Sequence, residues 1–244
     1  MSREEREAPK PQFRAAWDDL RRGGPVGRLL LVVFLGTMAF NMQDVLLEPY
    51  GGEILGLSVS ATTLLTAAWA VGALIGFALA ARWLAGGTDT YRMAGRGCLI
   101  GLAAFSAVIF AAPLDSGFLF FVGAGLIGLG GGLFAVATLT AAMTLPAEGI
   151  AGRGLALGAW GAAQATAAGL SIFIGGTLRD LVNLAAGNGM LGEALATSST
   201  GYSVVYHTEI GLLFVTLVAL GPLVRVRAVT TGTPARLELA EFPT

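Results

Sequence analysis

From Leu29 onward the chain alternates long apolar runs with short polar breaks. A span of about 19 residues crosses a hydrocarbon core of roughly 30 Å as a helix. Six runs reach that length, near 28–47, 61–85, 93–113, 117–145, 152–178 and 203–224. The fourth and fifth are long enough to tilt or to reach beyond the bilayer. Pro49, Pro113, Pro146 and Pro222 fall at or near predicted ends, where a missing amide hydrogen does least harm. The pattern predicts an all-α polytopic membrane protein with a tail at 1–27, a six-helix transmembrane bundle at 28–227 and a second tail at 228–244.

Polar residues inside these runs are few, and most of them crowd the outgoing half of the first. Asn41, Asp44 and Glu48 stand at i, i+3 and i+7, which on a continuous helix places them on one stripe and turns Gln43 away from it. Ionisable groups at that depth are costly, so the stripe is expected to face protein, a cavity or a cofactor.

Composition agrees with the pattern: 55% hydrophobic, 13% charged, 36 glycines and a mean hydropathy of +0.72 lie outside the range of soluble domains. The polar first 27 residues lack a short apolar core followed by a small-residue cleavage site, so they read as a cytosolic tail and not as a signal peptide. With that tail inside, fourteen of the 15 Lys and Arg fall on the cytoplasmic side, and Arg179 alone lies outside. Both termini are then cytoplasmic. The outer loops, at 48–60, around Pro113–Gly117 and at 179–202, hold Glu48, Glu53, Asp115, Asp180 and Glu193; the stretch Asn183–Tyr202 reads as a flexible loop with little structure of its own. The single Cys98 excludes an internal disulfide and reads as a small packing residue.

Glycine spacing adds a second pattern. Gly72-xxx-Gly76, Gly97-xxx-Gly101, Gly128-xxx-Gly132 and Gly154-xxx-Gly158 allow close helix approach where lipid gives no hydrophobic drive for association. Gly154, Gly158, Gly161, Ala165 and Gly169 leave the fifth span so smooth that another helix, or a flat ligand, is expected against it. Gly123 to Gly128 matches G-x-G-x-x-G, but inside a membrane span it lacks the strand and soluble βαβ unit that a nucleotide fingerprint requires. No Walker A sequence, HExxH or CxxC pair is present, which leaves an ATP-driven pump or a zinc protease without support, and nothing points to nucleic acid or to a bound metal ion.

His207, at the outer end of the sixth span, has three readings: an interfacial residue beside Tyr202 and Tyr206, a ligand for a metal such as the magnesium of a chlorophyll, or a group that moves protons. Topology puts Asp44, Glu48, Arg179, Asp180, His207 and Glu209 at one membrane level. Arg179 is expected to pair with Asp44, Glu48 or Asp180, and Glu209 is a further ion-pair candidate. Gln164, one turn after Trp160, suits an interhelical hydrogen bond or the rim of a macrocycle.

Several segments resemble one family. Phe40–Ser58 (FNMQDVLLEPYGGEILGLS) is similar to the signature that opens the second half of the PucC family, bacteriochlorophyll-associated membrane proteins of the major facilitator superfamily. Thr62–Ala81, Gly130–Met143, Gly154–Gly169 and Thr200–Pro222 resemble successive parts of that same half. The resemblance implies a six-helix bundle equivalent to one half of a major facilitator fold, in the intracytoplasmic photosynthetic inner membrane of a bacterium. It also implies a non-enzymatic role in assembling light-harvesting antenna, with bacteriochlorophyll bound or delivered and no catalytic residues. Candidate pigment or substrate contacts are Asn41, Gln43, Asp44, Glu48, Tyr50, Trp160, Gln164 and His207.

Family members carry twice as many spans, and alternating access requires two bundles around one site. In the superfamily the second and fifth helices of each half face the other half. Here those helices carry Gly72 and Gly76, and Gly154, Gly158 and Gly161, which implies antenna polypeptides, another six-helix half or a second copy of the chain as partner. Two other readings stay open: a half-size facilitator that moves a small solute as a dimer, and an inactive fragment of a longer family member.

Overall fold

All six apolar runs fold as helices in the computed structural model, which describes residues 17–18, 26–145 and 152–231. The first span is composite: α1 (Val26–Asn41), a 3-10 turn (Met42–Val45) and α2 (Leu47–Glu53). It is followed by α3 (Val59–Ala85), α4 (Thr90–Ala111), α5 (Gly117–Met143), α6 (Gly152–Gly187), a short 3-10 turn (Glu193–Leu195) and α7 (Ser199–Thr231). Each span is long and apolar enough to cross a bilayer, and no strand occurs among the described residues. The protein is an all-α, multi-pass membrane bundle. Most of both tails, together with Pro146, lies outside the described residues, as do all the basic residues before Arg28 and Arg236 near the other end. The helices themselves reach a little past the predicted bundle limits, starting at Val26 and ending at Thr231.

Polar side chains start the helices. Ser58 accepts from the Ala61 amide at 3.3 Å, Asp89 from Arg92 at 2.9 Å and Ser116 from Leu119 at 3.2 Å, each satisfying an amide that has no partner within its own helix. Gly87, at φ +81°, turns the chain between α3 and α4 in a conformation that disfavours a side chain.

The expected loop Asn183–Tyr202 is shortened at both ends, to residues 188–198. α6 continues to Gly187, α7 begins at Ser199, and the short connection is pinned. Thr200 donates to the Leu195 carbonyl at 2.8 Å, and Asn183 accepts from the Gly201 amide at 2.8 Å. The small polar residues that looked like loop formers cap and bridge helix ends instead. Pro222 also departs from expectation, lying inside α7 and not at its end; a bundle tolerates such a break where neighbouring helices meet the freed carbonyl.

α5 organises the packing. On one side a Cβ at Gly72 would strike the Gly125 carbonyl oxygen, and one at Gly76 would lie 2.6 Å from the Leu129 oxygen. On the other side a Cβ at Gly97 would lie 2.7 Å from the Gly130 oxygen, and one at Gly101 the same distance from the Phe40 ring. Gly72 and Gly76 are therefore used inside the chain, which corrects the expectation that they face a missing partner. Gly123 and Gly128 of the nucleotide-like match are likewise packing positions, against Val108 and Trp69. Cys98 is buried and unpaired within α4, as a packing residue should be.

α1 sits behind α5 and between α6 and α7. α6 lies at the edge: little of it is buried, and a Cβ at Gly154, Gly158, Gly161 or Gly169 would meet nothing within 4 Å. The smooth face predicted for this helix is open.

Candidate functional site

The polar stripe of the first span breaks where its residues compete with the helix. Asn41 donates to the Thr37 carbonyl at 2.7 Å, Gln43 donates to the Phe40 carbonyl at 3.3 Å and to Asp44 Oδ1, and the backbone tightens into the 3-10 turn. Pro49 lacks the amide that would bond Val45, so the ladder is cut at this point. The consequence reverses the prediction: Gln43, expected to point away, is buried, whereas Asp44 and Glu48 lie on the exposed side. Glu48 accepts a hydrogen bond from Thr66 of α3. α6 closes on this turn through Gly175, where a Cβ would lie 2.7 Å from the Met42 oxygen.

Opposite Gln43, α7 presents Tyr202, Tyr206 and Glu209 at i, i+4 and i+7, one face of a helix, all three with no exposure. The Tyr50 ring packs edge-on against Tyr202 and Tyr206, with centroids at 5.3 and 5.5 Å, and lies 5.3 Å from Phe120. Neither carboxyl oxygen of Glu209, nor Gln43 Oε1, nor the Tyr206 hydroxyl has a hydrogen-bond partner among the described residues. Glu209 therefore forms no ion pair there, contrary to expectation. It is instead a buried acid in a seam of aromatic rings, the costly placement that native proteins seldom keep without use.

At the Tyr202 end of this seam stands Arg179. Its Nη2 donates to Glu53 Oε2 at 2.9 Å and to the Tyr202 hydroxyl at 2.6 Å, and its Nη1 to Asp180 at 3.0 Å. The guanidinium also covers the Tyr202 ring at 4.6 Å, and Tyr202 donates to Glu53 Oε2 at 2.7 Å. Of the three predicted partners of Arg179, Asp180 is one. Asp44 and Glu48 are not, because the break at 42–45 re-aims both, and Glu53 on α2 takes their place. One cluster thus joins α2, α6 and α7.

His207 lies on the other face of α7, exposed. Its Nδ1 is 2.7 Å from the Ser203 carbonyl oxygen and 3.3 Å from the Ser203 hydroxyl. A carbonyl can only accept, so Nδ1 carries the hydrogen, and in the neutral ring Nε2 keeps its lone pair. The residue lines a cleft of about 760 Å³ between the end of α6, the 188–198 connection and the start of α7. Val182, Leu191, Leu195 and Val204 form apolar walls, and Thr197, Ser199, Ser203 and Thr208 add hydroxyls.

A smaller cleft of about 210 Å³ opens among α1, α3, α5 and α6. Asn41 and Gln164 supply its amides, and Trp69, Phe77 and Phe134 its rings. Trp160 borders it indirectly, its Nε1 donating to the lining Thr138 hydroxyl at 3.3 Å. The candidate residues therefore do not form one site: Asn41, Trp160 and Gln164 belong to this cleft, Gln43, Tyr50 and Glu209 to the buried seam, Asp44 and Glu48 to the exposed side of the first span, and His207 to the outer cleft. Glu53 and Tyr206 were not singled out from the sequence. The i, i+4, i+7 spacing of Tyr202, Tyr206 and Glu209 was the available signal for Tyr206, whereas Glu53 was hidden in a segment read as loop. No cluster of three or more metal-ligating side chains occurs among the described residues.

A family model described as PUCC protein matches residues 1–228. The chain is 56% identical to an "Uncharacterized protein in puhA-bchM intergenic region" of Rhodobacter capsulatus over 248 residues, covering 100% of this chain and 51% of that protein. It is 51% identical to Protein PucC of Rhodovulum sulfidophilum over 176 residues, 72% of this chain and 38% of the relative. Against Protein PucC of Cereibacter sphaeroides the identity is 42% over 217 residues, 88% and 46% of the two chains. The chain thus spans about half the length, or less, of the curated relatives it matches. No solved structure matches it.

Proposed function

The chain belongs to the PucC family, and from that membership we propose that it serves as a membrane-embedded assembly factor or accessory subunit for bacterial light-harvesting antenna complexes, holding bacteriochlorophyll for them. Its place is the photosynthetic inner membrane, with both termini cytoplasmic, and the role is non-enzymatic.

The observation that supports the pigment is the state of His207. Metal-ligating imidazoles commonly bond their second nitrogen to a carbonyl or carboxylate, which fixes the tautomer and leaves the other nitrogen as ligand. The Ser203 carbonyl does this for His207 at 2.7 Å. The cleft beside it, with apolar walls and scattered hydroxyls, suits a flat macrocycle with a polar rim. When bound, bacteriochlorophyll would supply the absorption of light and a magnesium able to take a nitrogen ligand. The chain supplies that nitrogen at His207, hydroxyls at Thr197, Ser199 and Thr208, and a wall from Leu191 and Leu195. The open face of α6, with Gly154, Gly158 and Gly161, gives a neighbouring transmembrane helix a surface it can approach closely.

The test is purification in mild detergent from a phototrophic host, followed by absorbance and subunit analysis. Wild type and Ser203→Ala, which keeps the carbonyl, are expected to carry pigment and antenna polypeptides. His207→Ala should lose the pigment at least tenfold while remaining folded. The small cleft bearing Asn41 and Gln164 favours a second reading, in which another six-helix bundle closes it into a passage for a solute. A colourless protein that drives proton-coupled uptake in liposomes would select that reading.

A further inference from the structure

At the end of the bundle opposite Arg179, the α3–α4 turn, the start of α4 and the ends of α5 and α7 enclose a cleft of about 890 Å³. Arg92 and Arg96 line it one helical turn apart, both exposed. Like charges at i and i+4 repel weakly, so an anion seated between or beside them is favoured. Neither guanidinium forms an ion pair among the described residues. The acid in the cleft, Asp89, accepts from the Arg92 main-chain amide at 2.9 Å as the helix cap. Thr140 and Thr144 also line the cleft, but their hydroxyls donate to the Val136 and Ala141 carbonyls, so the positive character comes from the two arginines.

Depth and wall chemistry narrow the ligand. The Arg96 guanidinium lies over the Trp83 ring at 5.5 Å. A tryptophan and an arginine at the end of an apolar span mark the headgroup level of a bilayer. Leu84 and Val224 make part of the lining apolar, next to the guanidinia. An anion wholly in water needs no such wall, whereas a phospholipid presents a phosphodiester and, next to it, the start of its acyl chains. Basic pockets between transmembrane helices hold anionic headgroups for this reason.

We propose that the cleft bounded by Arg92, Arg96, Leu84 and Val224 seats the headgroup of an anionic phospholipid. The site is independent of the pigment cleft at the other end of the bundle. Arg82, exposed on the last turn of α3 but outside the lining, is the internal control.

The experiment uses the purified chain, delipidated in a neutral detergent, with phosphatidylglycerol, phosphatidylcholine and inorganic phosphate as separate probes. Lipid binding is read by native mass spectrometry and by the shift in unfolding temperature. Phosphatidylglycerol is expected to bind at least tenfold tighter than phosphatidylcholine and to raise the unfolding temperature, with inorganic phosphate giving no comparable shift. Arg92→Gln with Arg96→Gln should weaken phosphatidylglycerol roughly thirtyfold, about fivefold per arginine, and leave phosphatidylcholine unchanged. Arg82→Gln should stay within twofold of wild type. If the double variant does not fold, the two single variants decide, each by its fivefold loss. Equal binding of the two lipids, an undiminished preference without the arginines, or an equal shift from inorganic phosphate would overturn the proposal.

Discussion

Gly72 of α3 lies so close to the carbonyl of Gly125 in α5 that no side chain fits between the two helices. The contact sets the distance between α3 and the core, and it repeats one turn later at Gly76 against Leu129. Gly72→Val must push backbone from backbone, so it is expected to cost more than about 3 kcal/mol and to abolish a monodisperse product in size-exclusion chromatography. Gly158→Val, on the open face of α6, should purify as wild type and lose only association with other helices. A monodisperse Gly72→Val protein would show that the seam can separate.

The Arg179 cluster predicts measurable coupling. Arg179 is about a quarter exposed and Glu53 about half, so solvent screening discounts the ion pair, but the Tyr202 hydroxyl between them is buried. Arg179→Ala should lower the unfolding temperature by a few degrees, and Tyr202→Phe by less. A double-mutant cycle between the two should return about 1 kcal/mol of coupling; coupling near zero would reduce the cluster to three separate contacts.

Glu209 predicts the opposite sign. Two buried oxygens without partners among the described residues make the native residue a cost to the fold, and an apolar replacement of like volume removes that cost. Glu209→Met is expected to raise the unfolding temperature, by the equivalent of about 1 kcal/mol, and Glu209→Gln to change it little. A clear drop for Glu209→Met would mean that the acid is satisfied in the membrane by a group outside the described residues.

Cys98 offers a check on the packing of α4. The thiol is fully buried beside the α5 seam, so the folded protein should resist a membrane-permeant maleimide until detergent and heat unfold it. Rapid labelling of the native bundle would contradict that burial.

The sequence carried the architecture because length and apolarity alone define a membrane helix, and the six spans appear near their expected limits. Its polar details were harder to read. Treating Asn41, Asp44 and Glu48 as one stripe assumed an unbroken helix, whereas Pro49 and the local bonds of Asn41 and Gln43 break it and exchange buried for exposed positions. Glycine spacing identified close-packing faces without distinguishing inner from outer: Gly72 and Gly158 look alike in sequence, and only the placement of α5 separates them. The buried state of Glu209 depends on α1, far away along the chain, and no local pattern announces it.

The bond from Tyr202 to Glu53 spans 149 positions and joins the first of the six described spans to the sixth. A chain made and inserted from its N-terminus can lay α3, α4 and α5 together while synthesis continues. It cannot close this bond until α7 has emerged. A chain cut before the sixth span therefore keeps its glycine seams and the direct Arg179–Glu53 ion pair but lacks the Tyr202 hydroxyl that ties that pair to α7.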